Sequence, residues 1–367
     1  MKIAHLINSL ATGGSERLVL DTVPLYQEAW IATDVIVANG KNYPFMQELK
    51  SSHKGKVISL SEGSVYNPLL VFKIMRHLRN YDIVHVHLFP VQYFAVVAKW
   101  LSKSRVILVF TEHNTSNRRL NKWYFKAIEK LIYGAYSSVV CITTEIKLIY
   151  ENYLPKHKKK FLLIENGVNI ASIQKVIPIE KLSLGKSILE TDVLLIQVAS
   201  FREQKDQATL IKSMALLPQE IKLLLVGEGA TKNSCMQLVK ELALMERVFF
   251  LGIRMDVPQL LKTADIVVLS SKHEGLSLSS IEGMASGKPF VASRVPGLSD
   301  LVENAGVLFE CGNEKELARC IQELIDDQFY YRKVAQACQE RAEGYTVEKM
   351  VSAHIELYKK LFNDKQN

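Results

Sequence analysis

The segment Ile266-Val267-Val268-Leu269-Ser270-Ser271-Lys272-His273-Glu274-Gly275-Leu276-Ser277 begins with an apolar run and continues into a polar loop. The run at 266–269 predicts a buried strand, and a helix is expected over 277–286, before Gly287-Lys288-Pro289. A second apolar run follows at 289–292. A strand, a helix and another buried strand in this order indicate one unit of a parallel sheet.

The same alternation extends from this unit in both directions along the chain. Strands are predicted at 2–7, 34–38, 57–60, 83–86, 105–110, 138–142 and 161–164, and again at 193–198, 221–226, 248–250, 266–269 and 289–292. Helical stretches lie between them and fill the end of the chain, at about 313–326, 329–342 and 346–362. Apolar strands that alternate with helices predict parallel sheets covered on both faces. We therefore expect an α/β fold of two Rossmann-like parallel-sheet domains facing each other across a cleft.

The length of 367 residues also favours two domains, since a single core stops growing at about 250–300 residues. The pattern of strands restarts after Glu165-Asn166-Gly167-Val168, where we place the boundary. The predicted units are residues 1–168, residues 169–345 and a closing helix within 346–367. Ligands of open parallel sheets bind at the carboxyl ends of the strands, so the expected site faces the cleft.

Charge is distributed unevenly along the chain. Residues 1–168 contain 22 Lys and Arg against 12 Asp and Glu, whereas residues 169–367 contain 24 against 26. A basic first half predicts an anionic partner such as phospholipid head groups, a phosphorylated lipid or nucleic acid. No recognisable nucleic-acid module is present, which argues against the last of these.

The composition excludes several classes of protein. Hydrophobic residues make up 48% of the chain and charged residues 23%, which rules out a disordered chain. No apolar run approaches the roughly 20 residues of a membrane span, and the first residues do not form a signal peptide because His5 and Asn8 interrupt them. The five cysteines are widely spread without a C-x-x-C pair, as expected for a cytoplasmic protein without disulfides or a zinc site.

The loop at 271–282 is the strongest candidate for a ligand site. Gly275 allows close approach of a ligand, and the N–H groups at Leu276 and Ser277, where the helix begins, form an anion site suited to phosphate. Glu274 and Glu282 flank this site, and carboxylates beside a phosphate are suited to accept hydrogen bonds from sugar hydroxyls. Alternatively, Glu274 is an acid favoured by the helix dipole and Glu282 is a surface residue.

A second candidate is the loop Ala199-Ser200-Phe201-Arg202-Glu203-Gln204-Lys205-Asp206, after the first strand of the second domain. Asp206 is expected to cap the following helix. Arg202 and Lys205 then lie at the same sheet edge as Glu274, where two cations could clamp a diphosphate. The alternative is that both are ordinary solvated charges.

The glycine-rich loops do not match the dinucleotide-binding fingerprint or the P-loop. Gly13-Gly14 in the opening loop offers close backbone approach, but no G-x-G-x-x-G fingerprint or P-loop occurs, so a Rossmann oxidoreductase is poorly supported. There is also no Asp-x-Asp pair to hold a divalent ion on a diphosphate. The cations of the 199–206 loop could supply that charge instead, so we expect no metal.

Histidines are concentrated in the first half, which contains seven of the nine. His85 and His87 end one strand, and His113 follows another. A metal site is not expected, because there is no helical H-x-x-x-H and no nearby Cys. His113 is predicted to be a hydrogen-bonding or polarising group at the site, whereas His85 and His87 are more simply explained as structural residues.

The chain resembles a known family over nearly its whole length: the retaining family-4 glycosyltransferases, with the two-domain GT-B architecture. The resemblance rests on motifs in this order: Gly13-Gly14-Ser15-Glu16-Arg17, Asp82–His87, Thr111-Glu112-His113, Asn166-Gly167-Val168, Lys205-Asp206, Val226–Gly229, Leu251–Arg254, and the pair Glu274 and Glu282 within Glu-Gly-Leu-Ser-Leu and Glu-Gly-Met-Ala-Ser-Gly-Lys-Pro. The last pair, seven residues apart, is the most specific.

The resemblance implies a role for each candidate residue. Glu282 would bind the ribose hydroxyls of a nucleotide sugar, and Glu274 with the N–H groups of Gly275, Leu276 and Ser277 would meet the sugar and distal phosphate. Further implied contacts are Lys205 with the diphosphate, Gly252 with the base, Gly14 with the donor, and His113 with the reacting sugar. The first domain would bind the acceptor, the second the donor, and the closing helix would cross back to the first domain.

Two positions depart from the family pattern. The family commonly has Arg where this chain has Ser200, and a cation is present instead at Arg202. Asn114 follows His113 where Asp is frequent. These departures leave open whether Arg202 reaches the phosphate and how His113 is oriented.

A basic and aromatic segment follows His113. Arg118, Arg119, Lys122 and Lys126 would lie near one face of a helix, and Trp123-Tyr124-Phe125 lie among them. This combination suits an anionic membrane surface, and the alternative is an amphipathic helix with its aromatics in the core.

The function expected from the resemblance is transfer of a hexose-type sugar with retention of configuration and without a metal. The donor would be a nucleoside-diphosphate sugar, most simply UDP-linked, and the acceptor a hydroxyl of a glycan or polyprenyl-linked saccharide. Such an enzyme would work at the inner face of the cytoplasmic membrane in cell-surface polysaccharide, lipopolysaccharide or capsule synthesis. A sugar-nucleotide epimerase or hydrolase, or a non-catalytic nucleotide-sugar-binding protein, remains an alternative.

Overall fold

The computed structural model describes residues 1–113 and 123–366 of the chain. They form two compact units: Met1–Gly167 together with Val347–Asn367, and Val168–Thr346. Each unit is an α/β structure built on one parallel sheet, with seven strands in the first and six in the second. The predicted fold class, two Rossmann-like parallel-sheet domains, is confirmed.

The first unit begins with strands whose side chains are almost entirely buried, as the apolar runs predict. Its strands are β1 (Lys2–Ile7), β2 (Ala32–Val37), β3 (Val57–Ser59), β4 (Ile83–His87), β5 (Ile107–Glu112), β6 (Ser138–Cys141) and β7 (Phe161–Leu163). Their order in the sheet is β3-β2-β1-β4-β5-β6-β7. The order reverses between β1 and β4, the position at which open sheets place a ligand crevice.

Helices cover both faces of this sheet. They are α1 (Gly14–Glu28), α2 (Pro44–Ser52), α3 (Leu70–Leu78), α4 (Val91–Ser102), α5 (Trp123–Ala135) and α6 (Thr144–Tyr153), with a 3-10 turn at Pro155–Lys160. Because side chains alternate along a strand, β1 directs Ile7 toward α1 and α2 and Leu6 toward the opposite core. The same alternation decides on which face of the sheet the side chains of the strand histidines His5, His85 and His87 lie.

The second unit repeats the arrangement. Its strands are β8 (Val193–Val198), β9 (Ile221–Val226), β10 (Val248–Gly252), β11 (Ile266–Leu269), β12 (Phe290–Ser293) and β13 (Val307–Phe309). The order β10-β9-β8-β11-β12-β13 reverses between β8 and β11. Its helices are α7 (Ile170–Gln174), α8 (Gln207–Met214), α9 (Lys232–Glu241), α10 (Val257–Thr263), α11 (Leu278–Ala285), α12 (Ser299–Val302), α13 (Glu314–Asp326) and α14 (Gln328–Ala342).

The closing helix α15 (Val347–Gln366) belongs to the first unit, where it packs beside α1. The chain therefore enters and leaves the second unit at neighbouring residues, and the backbone N–H of Val168 donates to the carbonyl oxygen of Tyr345 at 2.9 Å. Among residues 1–113 and 123–366, no helix is both long enough and apolar enough to span a bilayer.

Candidate active site

The carboxyl edge of the second sheet brings two predicted loops together. The loop 199–206 follows β8 and the loop 270–277 follows β11, and these two strands are neighbours in the sheet. The strand order reverses between them, so their loops diverge in direction and leave a crevice at this edge. Sequence spacing alone could not show that the two loops meet.

Lys205 and Glu274 form an ion pair where the loops meet. The Nζ of Lys205 lies 2.5 Å from Oε1 of Glu274, and their side chains are 18% and 6% exposed. The hydroxyl of Ser271 donates to the same Oε1 atom at 2.5 Å. Because both charges are largely removed from water, each depends on the other for compensation. The two side chains are consequently fixed in position, unlike an ion pair between two mobile surface groups.

Further hydrogen bonds fix the two loops against each other. The backbone N–H of Lys272 donates to the carbonyl oxygen of Gln204 at 2.8 Å, and the amide of Gln204 donates to the carbonyl oxygen of His273 at 2.7 Å. The hydroxyl of Ser270 donates to the carbonyl oxygen of Asp206 at 2.9 Å. These bonds set the position of Lys205 relative to Glu274.

Helix α11 begins directly after this pair. Ser277 occupies its N-cap position but makes no capping bond through its side chain, and its hydroxyl contacts that of Ser279 at 2.9 Å instead. First-turn N–H groups that a cap leaves unbonded can be offered to an anion. Gly275 is partly exposed and Leu276 is buried, while Glu282 is partly exposed in the middle of the helix.

Gly297, which the sequence analysis did not select, supports the Glu274 loop from behind. Its φ is +80°, and a Cβ at this position would lie 2.4 Å from the carbonyl oxygen of Glu274 and 2.7 Å from that of Gly275. Only glycine avoids both the backbone strain and these contacts. The sequence signal available was the dipeptide Pro296-Gly297, which is typical of turns.

The other predicted members of the donor site lie along the same edge. Arg202 is exposed in the β8 loop, and Gly252 is the last residue of β10, with φ +66°. The carbonyl oxygen of Gly252 accepts from the N–H of Gly227, in the loop after β9. Just beyond Gly252, Arg254 forms a two-bond ion pair with Asp256, with N–O distances of 2.7 and 2.5 Å, which lowers the pKa of that carboxyl.

One local prediction at this edge is wrong. Asp206 occupies the N-cap position of α8, but its side chain makes no capping bond to the helix backbone. Its backbone is left-handed, with φ +45°, and its Oδ2 accepts from the hydroxyl of Thr209 at 2.7 Å. The carboxylate is therefore engaged by a side chain of the first turn instead of a backbone N–H.

The first unit holds the remaining candidates at the carboxyl edge of its own sheet. Gly14 is exposed at the start of α1, and His113 follows β5. Glu112, immediately before His113, is buried and accepts from the hydroxyls of Tyr133 and Tyr150 at 2.6 and 2.7 Å. Glu112 and His113 point to opposite faces of the sheet. The two hydrogen bonds of Glu112 therefore anchor the end of the strand from which His113 follows.

His113, a partly exposed residue, lines a small cavity with four buried imidazoles, from His5, His85, His87 and His354. Burial lowers the pKa of His113 to about 4 and that of His5 to about 3, so both rings are neutral at pH 7. His85 is fully engaged: its Nδ1 meets the hydroxyl of Tyr358 at 2.5 Å and its Nε2 meets the hydroxyl of Thr111 at 2.6 Å. The sequence interpretation treated His85 and His87 separately and did not foresee this cluster.

The predicted membrane-side residues fall partly outside the described residues: Arg118, Arg119 and Lys122 lie there. Trp123 is the first residue of α5, and Lys126 is exposed on that helix with its Nζ 5.5 Å from the centre of the Tyr153 ring.

Comparison with known proteins identifies the class to which this fold and site belong. A model of glycosyltransferase family 4 matches residues 12–172, and one of the glycosyl transferases group 1 matches residues 180–344. The chain belongs to this family of glycosyltransferases, which confirms the resemblance seen in the sequence.

Individual relatives agree with this assignment. The chain is 30% identical over 296 residues to the N-acetyl-alpha-D-glucosaminyl L-malate synthase of Bacillus anthracis, covering 78% of this chain and 77% of the relative. It is 26% identical to the UDP-Gal:alpha-D-GlcNAc-diphosphoundecaprenol alpha-1,3-galactosyltransferase of Escherichia coli, with coverage of 78% and 77%. The crystal structure of Anabaena HepE in complex with UDP-glucose superposes with a TM-score of 0.85 at 23% identity, over 98% of this chain and 100% of that one.

Proposed function

We propose that the protein transfers a hexose-type sugar from UDP-sugar to a hydroxyl of a glycan or polyprenyl-linked saccharide, with retention of configuration and without a metal ion. The observation that carries this proposal is the Lys205–Glu274 pair beside the start of α11, which combines a cation, a carboxylate and a helix N-terminus in one place. A diphosphate needs the first and third of these groups, and a sugar needs the second.

In the proposed reaction Lys205 and the N–H groups of Gly275, Leu276 and Ser277 stabilise the departing diphosphate. Arg202 adds a further cation from the exposed part of the same loop. Charge stabilisation of the leaving group is the main catalytic contribution, since this chemistry needs no enzymic nucleophile. The leaving phosphate oxygen accepts the proton of the acceptor hydroxyl, which attacks from the same face of the sugar.

The remaining residues position the donor. Glu282 accepts hydrogen bonds from the ribose hydroxyls, Glu274 accepts them from the transferred sugar, and Gly252 and Gly14 allow the backbone to approach the nucleotide. His113 is the neutral hydrogen-bonding group proposed for the reacting sugar, since burial lowers its pKa to about 4. A neutral imidazole does not add positive charge beside the anomeric carbon.

Relatives support the choice of donor and acceptor. The name of the Escherichia coli relative specifies UDP-Gal and a diphosphoundecaprenol-linked acceptor, and the Anabaena structure contains UDP-glucose. By this analogy the protein acts in cell-surface polysaccharide or lipopolysaccharide synthesis, as a cytoplasmic protein at the inner face of the membrane.

The described surface of the first unit supports docking at an anionic membrane. Helix α5 exposes Ile128 (43%) and Leu131 (64%), and Lys126 and Lys130 are exposed on the same helix. Lys160 donates to the carbonyl oxygens of Gly134 and Tyr136 at 2.6 and 2.8 Å, which places the basic 3-10 turn beside the end of α5. Exposed apolar side chains and lysines on one helix suit the interfacial region of a bilayer.

A donor and acceptor panel tests the proposed activity. Purified protein is incubated with UDP-, GDP- and ADP-sugars, with and without a diphosphopolyprenyl-linked saccharide, and products are identified by mass spectrometry. We expect a glycosylated acceptor and free UDP only when both substrates are present. Turnover of donor alone would instead indicate a hydrolase or epimerase, and binding without turnover would indicate a non-catalytic protein.

A further inference from the structure

Five histidines meet on one face of the first sheet, beneath α1 and α15. His5 of β1 is directly opposite His85 of β4 in the register of the sheet, and His87 lies two residues further along the same face. His113 follows β5, and His354 comes from α15. Together they line a cavity of about 20 Å³, measured as the space that the centre of a water molecule can occupy. This is room for a water molecule or a single ion.

The nitrogen atoms of three of these rings are close enough to share one ion. Nδ1 of His5 and Nε2 of His87 share a hydrogen bond of 3.0 Å, which a bound ion would replace. One nitrogen from each of His5, His85 and His87 lies within 4.8 Å of the other two. Two imidazole nitrogens bound tetrahedrally to one zinc ion, with bonds of 2.0–2.1 Å, are about 3.4 Å apart. Small rotations of buried rings would therefore convert the cluster into a ligand set.

Four of the five rings that line the cavity have a buried nitrogen without a hydrogen-bond partner within the described part of the chain. These nitrogens are Nε2 of His5, Nδ1 of His87, Nε2 of His113 and Nε2 of His354. A buried polar atom without a hydrogen bond is costly, so these rings favour a further polar partner. The open nitrogens of His5 and His87 are not the two that lie 3.0 Å apart, so a ring of this pair can turn its open nitrogen to an ion or exchange the shared hydrogen bond for one. Burial also lowers the pKa of His5, His85 and His87, and neutral imidazole is the form that binds metals.

Neighbouring hydroxyls already orient the rings from outside. Tyr358 holds Nδ1 of His85 at 2.5 Å, and Tyr26 holds Nδ1 of His354 at 3.1 Å. Outer hydrogen bonds of this kind fix the ring plane of metal-binding histidines. With Nδ1 kept by Tyr358, the Nε2 atom of His85 can exchange the hydroxyl of Thr111 for an ion.

We propose that His5, His85 and His87 bind one divalent transition-metal ion, zinc or a close relative, inside the first unit. The described residues that line the cavity include no carboxylate, so the site suits an imidazole-binding ion and not magnesium or calcium. The ion would link β1 to β4 and stabilise the unit. This site goes beyond the proposed transfer, in which no metal takes part.

Metal titration of the whole protein tests the proposal. Protein without a polyhistidine tag is stripped with a chelator, dialysed and titrated with ZnCl₂ by calorimetry, and bound metal is counted by elemental analysis. We expect one tight equivalent per chain, with affinity reduced at least tenfold in His5→Gln and His87→Gln. The matched controls His77→Gln and His157→Gln, outside the cluster, should bind as the unchanged protein does.

A second measurement uses the unchanged protein, in case the cluster variants do not fold. Zinc should raise the melting temperature of the chelator-treated protein, and the NMR signals of the ring nitrogens of His5, His85 and His87 should move together at one equivalent. The absence of a tight equivalent would overturn the proposal. So would binding that survives in both cluster variants, or signals that move at His77, His157 or His273 instead.

Discussion

The Nζ atom of Lys205 lies 2.5 Å from Oε1 of Glu274, although the two residues are 69 positions apart in the chain. The loops that carry them follow neighbouring strands of the second sheet. Without a donor, the carboxylate balances the buried ammonium group. An incoming diphosphate offers the same cation a doubly charged partner, so donor binding and breaking of this ion pair are linked in the proposed mechanism.

Replacing Lys205 or Glu282 by Ala should reduce kcat/KM for the donor at least tenfold, on the order of 1.4 kcal/mol of transition-state stabilisation. Lys205→Ala removes the charge at the diphosphate, and Glu282→Ala removes the acceptor for the ribose hydroxyls. Steady-state kinetics with varied UDP-sugar measures both effects. Lys272→Ala is the matched control, because Lys272 is in the same loop as Glu274 but its side chain is 57% exposed. Full activity in both variants would refute the assignment of the site.

Arg202→Ala decides whether the cation at 202 replaces the arginine that this family commonly has at the position of Ser200. If Arg202 contacts the diphosphate, the variant should lose donor affinity in the same direction as Lys205→Ala. Binding of UDP, followed by calorimetry, reports this directly. An unchanged affinity would assign Arg202 to the solvated surface.

Gly297→Ala should impair transfer although Gly297 itself has no side chain to contribute. Its new Cβ would press on the carbonyl oxygens of Glu274 and Gly275, so we expect kcat/KM to fall at least tenfold. Gly312→Ala is a close control, because Gly312 has a similar φ of +79° but no atom of the described residues within 4 Å of its Cβ position. Both variants should lose about 1–2 kcal/mol of stability from backbone strain, and only Gly297→Ala should lose activity. Equal activity in the two variants would contradict the supporting role of Gly297.

Chelation by EDTA should leave the initial rate of transfer nearly unchanged. The cations that stabilise the diphosphate in the proposed mechanism are side chains, and the sequence has no Asp-x-Asp pair to hold a divalent ion there. Rates are measured well below the melting temperature, before and after chelation. A loss restored by magnesium or manganese would contradict the mechanism, whereas a loss restored by zinc alone would implicate the histidine cluster.

The metal-free protein should lose stability between pH 6.5 and pH 4. Burial lowers the pKa of His5 to about 3 and those of His113 and His354 to about 4, from 6.5 in an exposed imidazole. Between those values the unfolded chain binds more protons than the folded chain, so the stabilisation is complete above pH 6.5 and disappears as the pH falls. Urea midpoints at pH 7, 6 and 5 measure the change. Midpoints that stay constant over this range would show that the imidazoles are not held neutral by burial.

Liposome sedimentation should show binding to vesicles that contain anionic lipid, and the binding should weaken with salt. Each lysine near such a surface contributes roughly 1 kcal/mol. Replacement of Arg118, Arg119, Lys122 and Lys126 by Ser should reduce the bound fraction, as should Ile128→Ser with Leu131→Ser. Trp30→Ser is the control, since Trp30 is 96% exposed and lies in the turn after α1. Equal binding to neutral vesicles, or none to either kind, would leave a soluble acceptor as the better hypothesis.

Much of the fold could be predicted from the sequence, because buried parallel strands are continuous apolar runs. The predicted strands at 193–198, 221–226 and 266–269 coincide with β8, β9 and β11. The three-residue strand β13 was missed, because Val307–Phe309 is too short to show a periodic signal. The four-residue helix α12 was not predicted, for the same reason.

The candidate site could be predicted from the sequence only in part. Chemistry and spacing selected Lys205 and Glu274, but their pairing depends on which strands are neighbours, which the sequence does not state. The histidine cluster depends in the same way on β1 and β4 being neighbours, which places His5 opposite His85. The sequence signal available was that His85 and His87, two residues apart on one strand, share a face. Helix α15, which closes the cluster with His354, is distant in the chain, so no local pattern joins it to these strands.

Helix α15 also makes the first unit the last to be completed during synthesis. The first unit is begun first, yet it lacks Tyr358 and His354 until residues 347–366 have left the ribosome. By then all residues of the second unit, 168–346, have been made. The nascent chain can thus finish its second sheet while the histidines of the first are still uncovered. A stop codon at residue 347 would remove no residue of the second unit and would leave the first unit open.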